Sequence, residues 1–378
     1  MKEFLLYFST EELILWCLLL LFFIIQLIYY FFVYRKVILP KINIQPTKPQ
    51  PVSIIICARN ESENLQAHLP IILEQEYPDY EVVVVNDCSS DDTIDVLKHF
   101  SALYPHLKVT TIKEDEKFVH GKKLAMTIGI KAAKNEWLLF TDADCMPENR
   151  QWIATMQKHF TENNQIVLGY GGFKTRKGFL NKLIRFDTFF IALQYIGFAR
   201  CDMPYMGVGR NLAYRKSLFI KSRGFASHSH IASGDDDLFI NENAQGTFTD
   251  VEISVDAHTR SNPKTTYSAW NAQKKRHMST AKFYKTKHKY FLLFEPVSRV
   301  LFFFLCIILA IISEFFYVAI ALFLIRILIQ QIIFSKALKI LNEKHILPLS
   351  SLLDMLLPFV NLNIYTINIF TSKKNKWK

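Results

Sequence analysis

The sequence predicts an α/β fold with a doubly wound, mostly parallel sheet, carried between an N-terminal transmembrane helix and C-terminal membrane helices. Three observations lead to this prediction. Strand-like and helix-like segments alternate through the middle of the chain, long apolar runs occupy both ends, and acidic residues follow the strand-like runs. The 378-residue chain is 50% hydrophobic and contains 32 Phe residues, which is more apolar than an ordinary soluble enzyme.

The first apolar run, residues 13–34, contains no charged residue and one strongly polar residue, Gln26. About 20 apolar residues suffice to cross a bilayer as a helix. The run is too long for the core of a signal peptide, and no small-residue cleavage site follows it. We therefore expect a retained transmembrane anchor at 13–34, preceded by an extracytoplasmic segment at 1–12.

Charge on either side of this anchor predicts its orientation. Arg35, Lys36 and Lys41 follow it, whereas acidic residues dominate the preceding segment. The positive-inside rule then places the N-terminus outside and the middle of the chain in the cytoplasm, so the expected location is the inner (plasma) membrane. The six cysteines are scattered without a C-x-x-C motif, which is typical of a reducing compartment and argues against a zinc site.

The C-terminal part, residues 297–370, reads as membrane helices. The run from 297 to 334 is interrupted by Glu314 and Arg326, so it fits either a hairpin of two spans or one span with an interfacial helix. The stretch from 346 to 370 either spans or re-enters the membrane. The basic tail, 371–378, favours a cytoplasmic C-terminus, which requires an odd number of spans, and three are expected.

The net charge of +11 is concentrated near the second membrane segment. Seven Lys and Arg residues and no acids lie between Lys274 and Lys289, partly within a basic juxtamembrane segment at 281–295. Such clusters attract anionic lipid headgroups on the cytoplasmic side. Because no nucleic-acid motif accompanies the charge, we expect membrane lipids and no nucleic acid as partners.

Residues 50–280 form the predicted cytoplasmic domain. Continuous apolar runs at 52–57, 81–85 and 137–141, with a shorter one at 108–112, predict strands buried on both faces. Helices are predicted at 63–73, 91–100 and 121–133. The domain lacks G-x-G-x-x-G and G-x-x-x-x-G-K-[ST], so neither a dinucleotide Rossmann site nor a P-loop is supported.

Two carboxylates one residue apart, Asp142 and Asp144, follow the last of these strands. Side chains at i and i+2 on extended backbone point the same way, so both can face one ligand at the carboxyl edge of the sheet. Hard oxygen ligands of this kind suit Mg²⁺ or Mn²⁺ that also holds phosphate oxygens. The alternative is a loop of turn-forming acids without a metal.

Polar residues follow the other strands at the same predicted edge. The first strand is followed by Ala58, Arg59 and Glu61, the second by Asp87, and the third helix opens with Lys122. Carboxylates for base and ribose hydroxyls, together with a basic group for phosphate, are what a pyrophosphate-linked nucleotide requires. Each residue alone would also fit a turn or a solvated helix.

The segments VSIIICARNES, VVVVNDCSSDDT, HGKK and LLFTDADC occur in this order and resemble the family 2 glycosyltransferases of the GT-A fold, over about residues 50 to 280. The resemblance implies a nucleotide-sugar donor. It places Ala58, Arg59 and Glu61 near the nucleotide, Asp87 at the base, Lys122 near the diphosphate, Asp142 at the ribose or diphosphate, and Asp144 on the metal.

Three further segments extend the resemblance. The run GVGRNLAYR, with Gly209 and Asn211, resembles the family's sugar and acceptor pocket. In SGDDDL the family's base is the second acid of a pair, which implies Asp236 beside Asp235, although which aspartate acts stays open. A capped helix start explains the same residues structurally.

The third segment resembles the family's Q-x-x-R-W signature. Gln273 and Arg276 are retained, for diphosphate or acceptor contacts, and His277 stands where Trp is usual. The missing indole removes a stacking platform for a sugar. Because the signature is associated with processive polymerases, its change favours transfer of one or a few sugars.

The expected function is therefore an inverting, metal-dependent transfer of a sugar from a nucleotide-diphosphate donor, with UDP the family's commonest nucleotide. The acceptor is expected to be a lipid-linked or growing glycan at the cytoplasmic membrane face. A processive polysaccharide synthase and a nucleotidyltransferase are the alternatives. The apolar stretch at 178–198 is expected to be either a core helix or an interfacial helix.

Overall fold

The structure is a computed structural model that describes residues 9–40, 48–113 and 121–370. The expectations that concern residues 1–8, Lys41 and the basic tail 371–378 fall outside the described residues. The predicted doubly wound α/β domain with membrane helices at both ends is confirmed.

Ten strands form two sheets in the described part of the chain. They are β1 (Val52–Ala58), β2 (Tyr80–Asp87), β3 (Leu107–Ile112), β4 (Trp137–Phe140), β5 (Cys145–Pro147), β6 (Ile166–Gly169), β7 (Gly171–Phe173), β8 (Leu212–Arg215), β9 (Thr249–Glu252) and β10 (Thr259–Ser261). The larger sheet has the order β3-β2-β1-β4-β8-β6-β9, and the smaller one has the order β5-β10-β7.

The helices surround these sheets and extend into a bundle. They are α1 (Thr10–Ile38), α2 (Ser62–Leu73), α3 (Thr93–Leu103), α4 (Lys122–Ala132), α5 (Trp152–Gln157), α6 (Phe179–Ala199), α7 (Lys216–Lys221), α8 (Asp237–Asn243), α9 (Tyr267–Met278), α10 (Thr286–Ile312), α11 (Phe316–Ile340) and α12 (Ser350–Phe370). Both faces of the larger sheet are covered, as its continuous apolar strands require.

The four predicted strands occupy one half of the larger sheet and are mutually parallel. The other half contains an antiparallel strand that the sequence analysis did not predict: β8 lies between β4 and β6 and runs opposite to both. This strand carries the chain from the glycine-rich segment at 207–209 back into the sheet beside β4. It therefore places that segment next to the residues that follow β4.

Four described helices are long and apolar enough to cross a membrane, where the sequence analysis expected three spans. They are Thr10–Ile38, Thr286–Ile312, Phe316–Ile340 and Leu347–Ile367. The second of them begins about ten residues before the expected start near Pro296, because this proline is accommodated inside α10. The segment expected as a basic juxtamembrane linker is thus largely the first turns of a helix.

Contacts at the two ends of α1 define its direction relative to the catalytic domain. The Ser313 hydroxyl, in the turn between α10 and α11, donates to the Glu12 carboxylate near the start of α1. At the other end, Arg200 donates to the carbonyls of Lys36 at 2.9 Å and Val37 at 3.1 Å. The first helix therefore begins beside the α10–α11 turn and ends on the α/β domain.

The last helix runs antiparallel to α11. Gln331 donates to the hydroxyls of Ser350 and Ser351, and further along Arg326 pairs with Asp354 at 2.7 Å. Arg326 also donates to Gln26 of α1 at 3.1 Å, so the buried polar groups of the bundle are paired with one another. Helix α12 thus starts at the α/β domain and runs away from it.

The helix at 178–198, left open between a core and an interfacial position, is α6. Most of its side chains are buried. Its aromatic residues pack on the membrane helices, with Phe186 against Phe334 of α11 and Phe190 against Tyr34 of α1. It is therefore a core helix that joins the α/β domain to the membrane helices.

Candidate active site

The D-x-D pair follows β4 at the carboxyl edge of the sheet, as predicted. Ligand atoms of Asp142, Asp144 and Cys145 all lie within 4.8 Å of one another. The Cys145 thiol is buried beside the Ser261 hydroxyl at 2.7 Å, and burial raises its pKa well above its ordinary value, so it stays protonated. Two carboxylates that are open to the cleft remain, and they are donors that fit Mg²⁺ or Mn²⁺.

The two carboxylates differ in their electrostatic surroundings. Burial and the neighbouring Asp142 raise the pKa of Asp144. Burial would also raise the pKa of Asp142, but the Lys122 ammonium outweighs it and lowers that pKa. A divalent cation on Asp144 would relieve the repulsion between the two acids, which is a second reason why the pair fits a metal.

Lys122, in the first turn of α4, lies between two acidic groups. Its ammonium is 2.8 Å from Asp142 and 2.9 Å from Asp235. Burial opposes the charge, yet these acids and Asp236 raise the pKa of Lys122 well above its ordinary value. A permanently charged ammonium at this point is suited to a diphosphate, whose oxygens would replace the carboxylates as partners.

The three consecutive aspartates at 235–237 have different environments. Asp235 pairs with Lys122, whereas Asp237 is buried and accepts hydrogen bonds from the Tyr284 hydroxyl at 2.7 Å and from Thr280. Asp237 therefore anchors the start of α8 to the segment before α10. Asp236 remains as the carboxylate that faces the cleft.

Asp236 is the N-cap of α8, and its surroundings raise its pKa toward neutrality. One oxygen accepts from the Asp237 amide at 2.8 Å, and the other accepts from the Gly209 amide at 2.7 Å. Burial, with the charges of Asp235 and Asp237, raises the pKa of Asp236 to about 7. A carboxylate with a pKa near neutrality can accept a proton during a reaction.

Gly209 therefore contacts the acid expected to act as base. A Cβ atom at this position would lie 3.3 Å from the Asp236 carboxylate and 3.6 Å from the Lys122 nitrogen. The glycine thus allows a close approach of backbone to carboxylate, rather than an unusual backbone conformation.

The expected role of Asn211 in acceptor or diphosphate binding requires correction. Its side chain is fully buried, accepts from the Trp152 indole at 3.0 Å, and donates to the carbonyls of Tyr170 at 2.9 Å and Ala257 at 2.6 Å. Every partner lies inside the protein. Asn211 therefore joins buried segments beneath the cleft, and its side chain is not open to the cleft.

Helix α9 carries Gln273 and Arg276, both half-buried. The buried ion pair between Lys274 and Asp187 fixes this helix on α6. The positive charge of Arg276 lowers the pKa of Asp142, so the arginine lies on the diphosphate side of the cleft. His277, in the position of the family's Trp, is exposed beside it.

The residues expected to bind the nucleotide lie at the ends of β1 and β2. Ala58 ends β1, half-buried Arg59 follows it, and Asp87 is completely buried at the end of β2. Glu61 accepts from the Asn64 amide at 2.6 Å, and burial together with the charge of Asp144 raises its pKa. The structure thus brings Glu61 within electrostatic reach of the D-x-D pair.

Two cations of the cleft were not assigned a role from sequence. The Arg210 guanidinium lies 4.5 Å from the centre of the Phe173 ring, and its charge lowers the pKa values of Asp142 and Asp144. The positive charge of Lys264 likewise acts to lower the pKa values of Glu61 and Asp144. A signal for Arg210 was available, because it is the charged residue inside the glycine-rich segment, whereas Lys264 stands in no motif.

Comparison with known proteins identifies the class of enzyme to which the α/β domain belongs. Residues 53–222 match the family model described as "Glycosyl transferase family 2". This stretch of the chain is a family 2 glycosyltransferase domain, and its fold is the GT-A fold.

Individual relatives cover parts of the chain. Glycosyltransferase AglE of Haloferax volcanii is 38% identical over 104 residues, which are 27% of this chain and 33% of AglE. The Escherichia coli protein named UDP-Glc:alpha-D-GlcNAc-diphosphoundecaprenol beta-1,3-glucosyltransferase WfaP is 28% identical over 132 residues, 34% of this chain and 48% of WfaP. The matches thus span less than half of each of these relatives.

A solved structure matches over nearly the full length. Mannosyltransferase PcManGT from Pyrobaculum calidifontis, in complex with GDP-Man and Mn²⁺, aligns with a TM-score of 0.62 at 20% sequence identity. The alignment covers 95% of this chain and 99% of that one. At this level of identity the match establishes the fold.

Proposed function

We propose that the protein transfers a sugar, with inversion, from a nucleotide-diphosphate sugar to a lipid-linked or glycan acceptor at the cytoplasmic face of the membrane. The observation that carries this proposal is the placement of Asp236. It lies near Lys122, and Lys122 in turn contacts the D-x-D pair at Asp142. The cleft thus has a proton acceptor and a diphosphate-binding side.

The reaction follows from this arrangement. The acceptor hydroxyl oxygen attacks the anomeric carbon and forms the new glycosidic bond while the bond from that carbon to the diphosphate oxygen breaks. Asp236 takes the hydroxyl proton, for which its pKa of about 7 is suited. Lys122 and Arg276 hold the departing diphosphate.

Asp144, assisted by Asp142, would hold the divalent cation. A bound Mg²⁺ or Mn²⁺ supplies charge neutralisation for the leaving diphosphate. Glu61, Arg59 and the end of β2 at Asp87 would contact the nucleotide. UDP is the proposed nucleotide, supported by the UDP-glucose in the name of the relative WfaP.

A lipid-linked acceptor is supported by how the α/β domain is held. Arg200 binds the last residues of α1, and α6 packs against α1 and α11, so the domain is attached directly to the apolar helices. The name of WfaP specifies a diphosphoundecaprenol-linked acceptor. An acceptor carried in the membrane would reach a cleft so placed without leaving the bilayer.

The test is a transfer assay with the purified, detergent-solubilised protein, a panel of radiolabelled UDP- and GDP-sugars, and a lipid extract. We expect label from one donor to move into the lipid fraction, to stop on chelation of divalent metal, and to resume with Mg²⁺ or Mn²⁺. Transfer that continues at full rate in the chelator would contradict the role given to Asp144.

The same assay separates the alternatives. A single added sugar supports the proposal, whereas a ladder of long products identifies a processive synthase. Release of pyrophosphate with transfer of the nucleotide itself identifies a nucleotidyltransferase. We expect short products, because the exposed His277 replaces the indole of the processive signature.

A further inference from the structure

Two consecutive lysines open α4, and both reach the segment that leads into the acidic cluster. The Lys122 ammonium lies 2.9 Å from Asp235. The Lys123 ammonium donates to the carbonyl of His228 at 2.6 Å and to the carbonyl of Ile231 at 3.0 Å. Residues 228–235 are therefore tied to α4 at two points, more than 100 residues away along the chain.

Lys123 is almost completely buried where it contacts this segment. The residue is 9% exposed, and its two carbonyl partners belong to one turn, in which the Ile231 amide donates to the His228 carbonyl at 3.1 Å. Hydrogen bonds from an ammonium are stronger than those between neutral groups. The nearby charges of Asp235, Asp237 and Glu242 favour the charged amine and offset part of the cost of burying it.

The segment that Lys123 holds has few inward-facing side chains. Ser229, His230 and Ala232 are exposed, while His228 is buried and lies 3.3 Å from Glu242 of α8. Gly234 has a φ of +96°, a left-handed conformation that a glycine adopts without strain. His228 and the neighbouring Ser227, which donates to Glu242 at 2.7 Å, hold this turn to α8, and Lys123 holds it to α4.

We propose that Lys123 is a positioning residue that holds residues 228–234 against α4, so that Asp236 keeps its place on the acceptor side of the cleft. This inference rests on the proposed function. Asp236 is two residues beyond Gly234, so a displaced turn displaces the base. When a donor diphosphate draws Lys122 away from Asp235, the Lys123 contact still ties the turn to α4, because the carbonyls of His228 and Ile231 are not among the groups proposed to bind the donor.

The test compares Lys123→Met, Lys123→Arg and a matched control, Lys131→Met, which changes an exposed lysine near the other end of the same helix. Two readouts are measured: amide hydrogen exchange of residues 226–234, and the kinetics of transfer to the acceptor. The donor affinity is determined separately by calorimetry.

For Lys123→Met we expect faster exchange in 226–234 and a loss of transfer of at least tenfold, since about 1 Å of misplacement can cost 10²-fold. The KM for acceptor rises, while donor affinity stays within about twofold. Lys123→Arg, which keeps a charged donor, regains part of the transfer rate, and Lys131→Met behaves as the wild type.

Unchanged exchange and unchanged acceptor kinetics in Lys123→Met would overturn the inference. So would a loss of donor affinity as large as the loss of transfer, because that result indicates a general structural defect rather than a displaced base. If the wild-type protein transfers no sugar, the proposed function fails. The exchange measurement then decides by itself whether Lys123 holds the turn.

Discussion

The three adjacent aspartates at 235–237 are identical in type, but the structure gives each of them different surroundings. Asp235 is held by Lys122, and Asp237 is held by Tyr284 and Thr280. Asp236 faces the cleft, and burial with the charges of its two neighbours raises its pKa to about 7. The sequence left open which aspartate acts as base. The structure separates them by their hydrogen-bond partners, which a motif does not encode.

The raised pKa of Asp236 predicts the pH dependence of transfer. A base must be ionised, so the protonated fraction is inactive, and kcat/KM should rise about tenfold per pH unit below pH 7 and level off above it. The profile of kcat/KM from pH 5 to 9 provides the measurement. A flat profile from pH 5 to 8 would contradict the assignment of Asp236 as the titrating base.

Asn211 lies inside a motif that resembles a substrate pocket, but its side chain stabilises the protein interior. Replacement of Asn211 by Leu should lower the apparent melting temperature in detergent, because the Trp152 indole and the carbonyls of Tyr170 and Ala257 lose a buried partner. Each such loss costs about 1–3 kcal/mol. Loss of acceptor binding with an unchanged melting temperature would instead restore the role expected from sequence.

At the scale of elements, the four mutually parallel strands β1 to β4 were predictable because each coincides with an apolar run in the sequence. Observed bounds such as Val52–Ala58 and Trp137–Phe140 agree with the predicted ones within a residue or two. Strand β8 was missed because it is four residues long and follows a glycine-rich segment that reads as a loop. Its position between β4 and β6 depends on contacts between distant segments.

The loop between α11 and α12 is an element whose role was not visible in the sequence. Its buried Glu343 pairs with Arg185 at 2.6 Å, accepts from the Tyr170 hydroxyl at 2.7 Å, and also pairs with Arg260. The arginines belong to α6 and β10, so one carboxylate fastens the α11–α12 loop to two elements of the α/β domain.

Replacing Glu343 by Gln should therefore destabilise the protein strongly. Breaking a buried ion pair costs about 3–5 kcal/mol. Arg185 would keep its charge without a carboxylate partner, and Arg260 would keep only Glu148, at 2.6 Å. The apparent melting temperature in detergent is the readout, with the exposed Glu162→Gln as control. Equal melting temperatures for the two variants would show that Glu343 does not fasten the domains.

At the scale of the whole molecule, the charge pattern and the structure lead to different topologies. The basic tail predicted a C-terminus on the side of the catalytic domain, with three spans. The structure has four candidate helices, and α12 runs away from that domain, antiparallel to α11. Charge counting weighs residues near the membrane but contains no information about the pairing of helices, such as that between Arg326 and Asp354.

The four-helix arrangement predicts that Glu314 and Thr366, near the far ends of the bundle, lie across the membrane from Asp95 of the catalytic domain. Single cysteines at these positions can be labelled in intact cells with a membrane-impermeant maleimide, in a background with the exposed Cys17 and the half-buried Cys88 and Cys201 changed to Ser. We expect labelling at 314 and 366 and protection at 95. Labelling at 314 with protection at 366 would indicate that α12 does not cross.

The central claim is that sugar transfer occurs between the D-x-D pair and Asp236, with Asp236 as the base. The most direct test is the transfer rate of Asp236→Asn, measured beside its donor affinity by calorimetry and beside the exposed control Asp95→Asn. We predict a loss of about 10²–10⁴-fold in transfer with donor affinity unchanged. Transfer at the wild-type rate in Asp236→Asn would contradict the account.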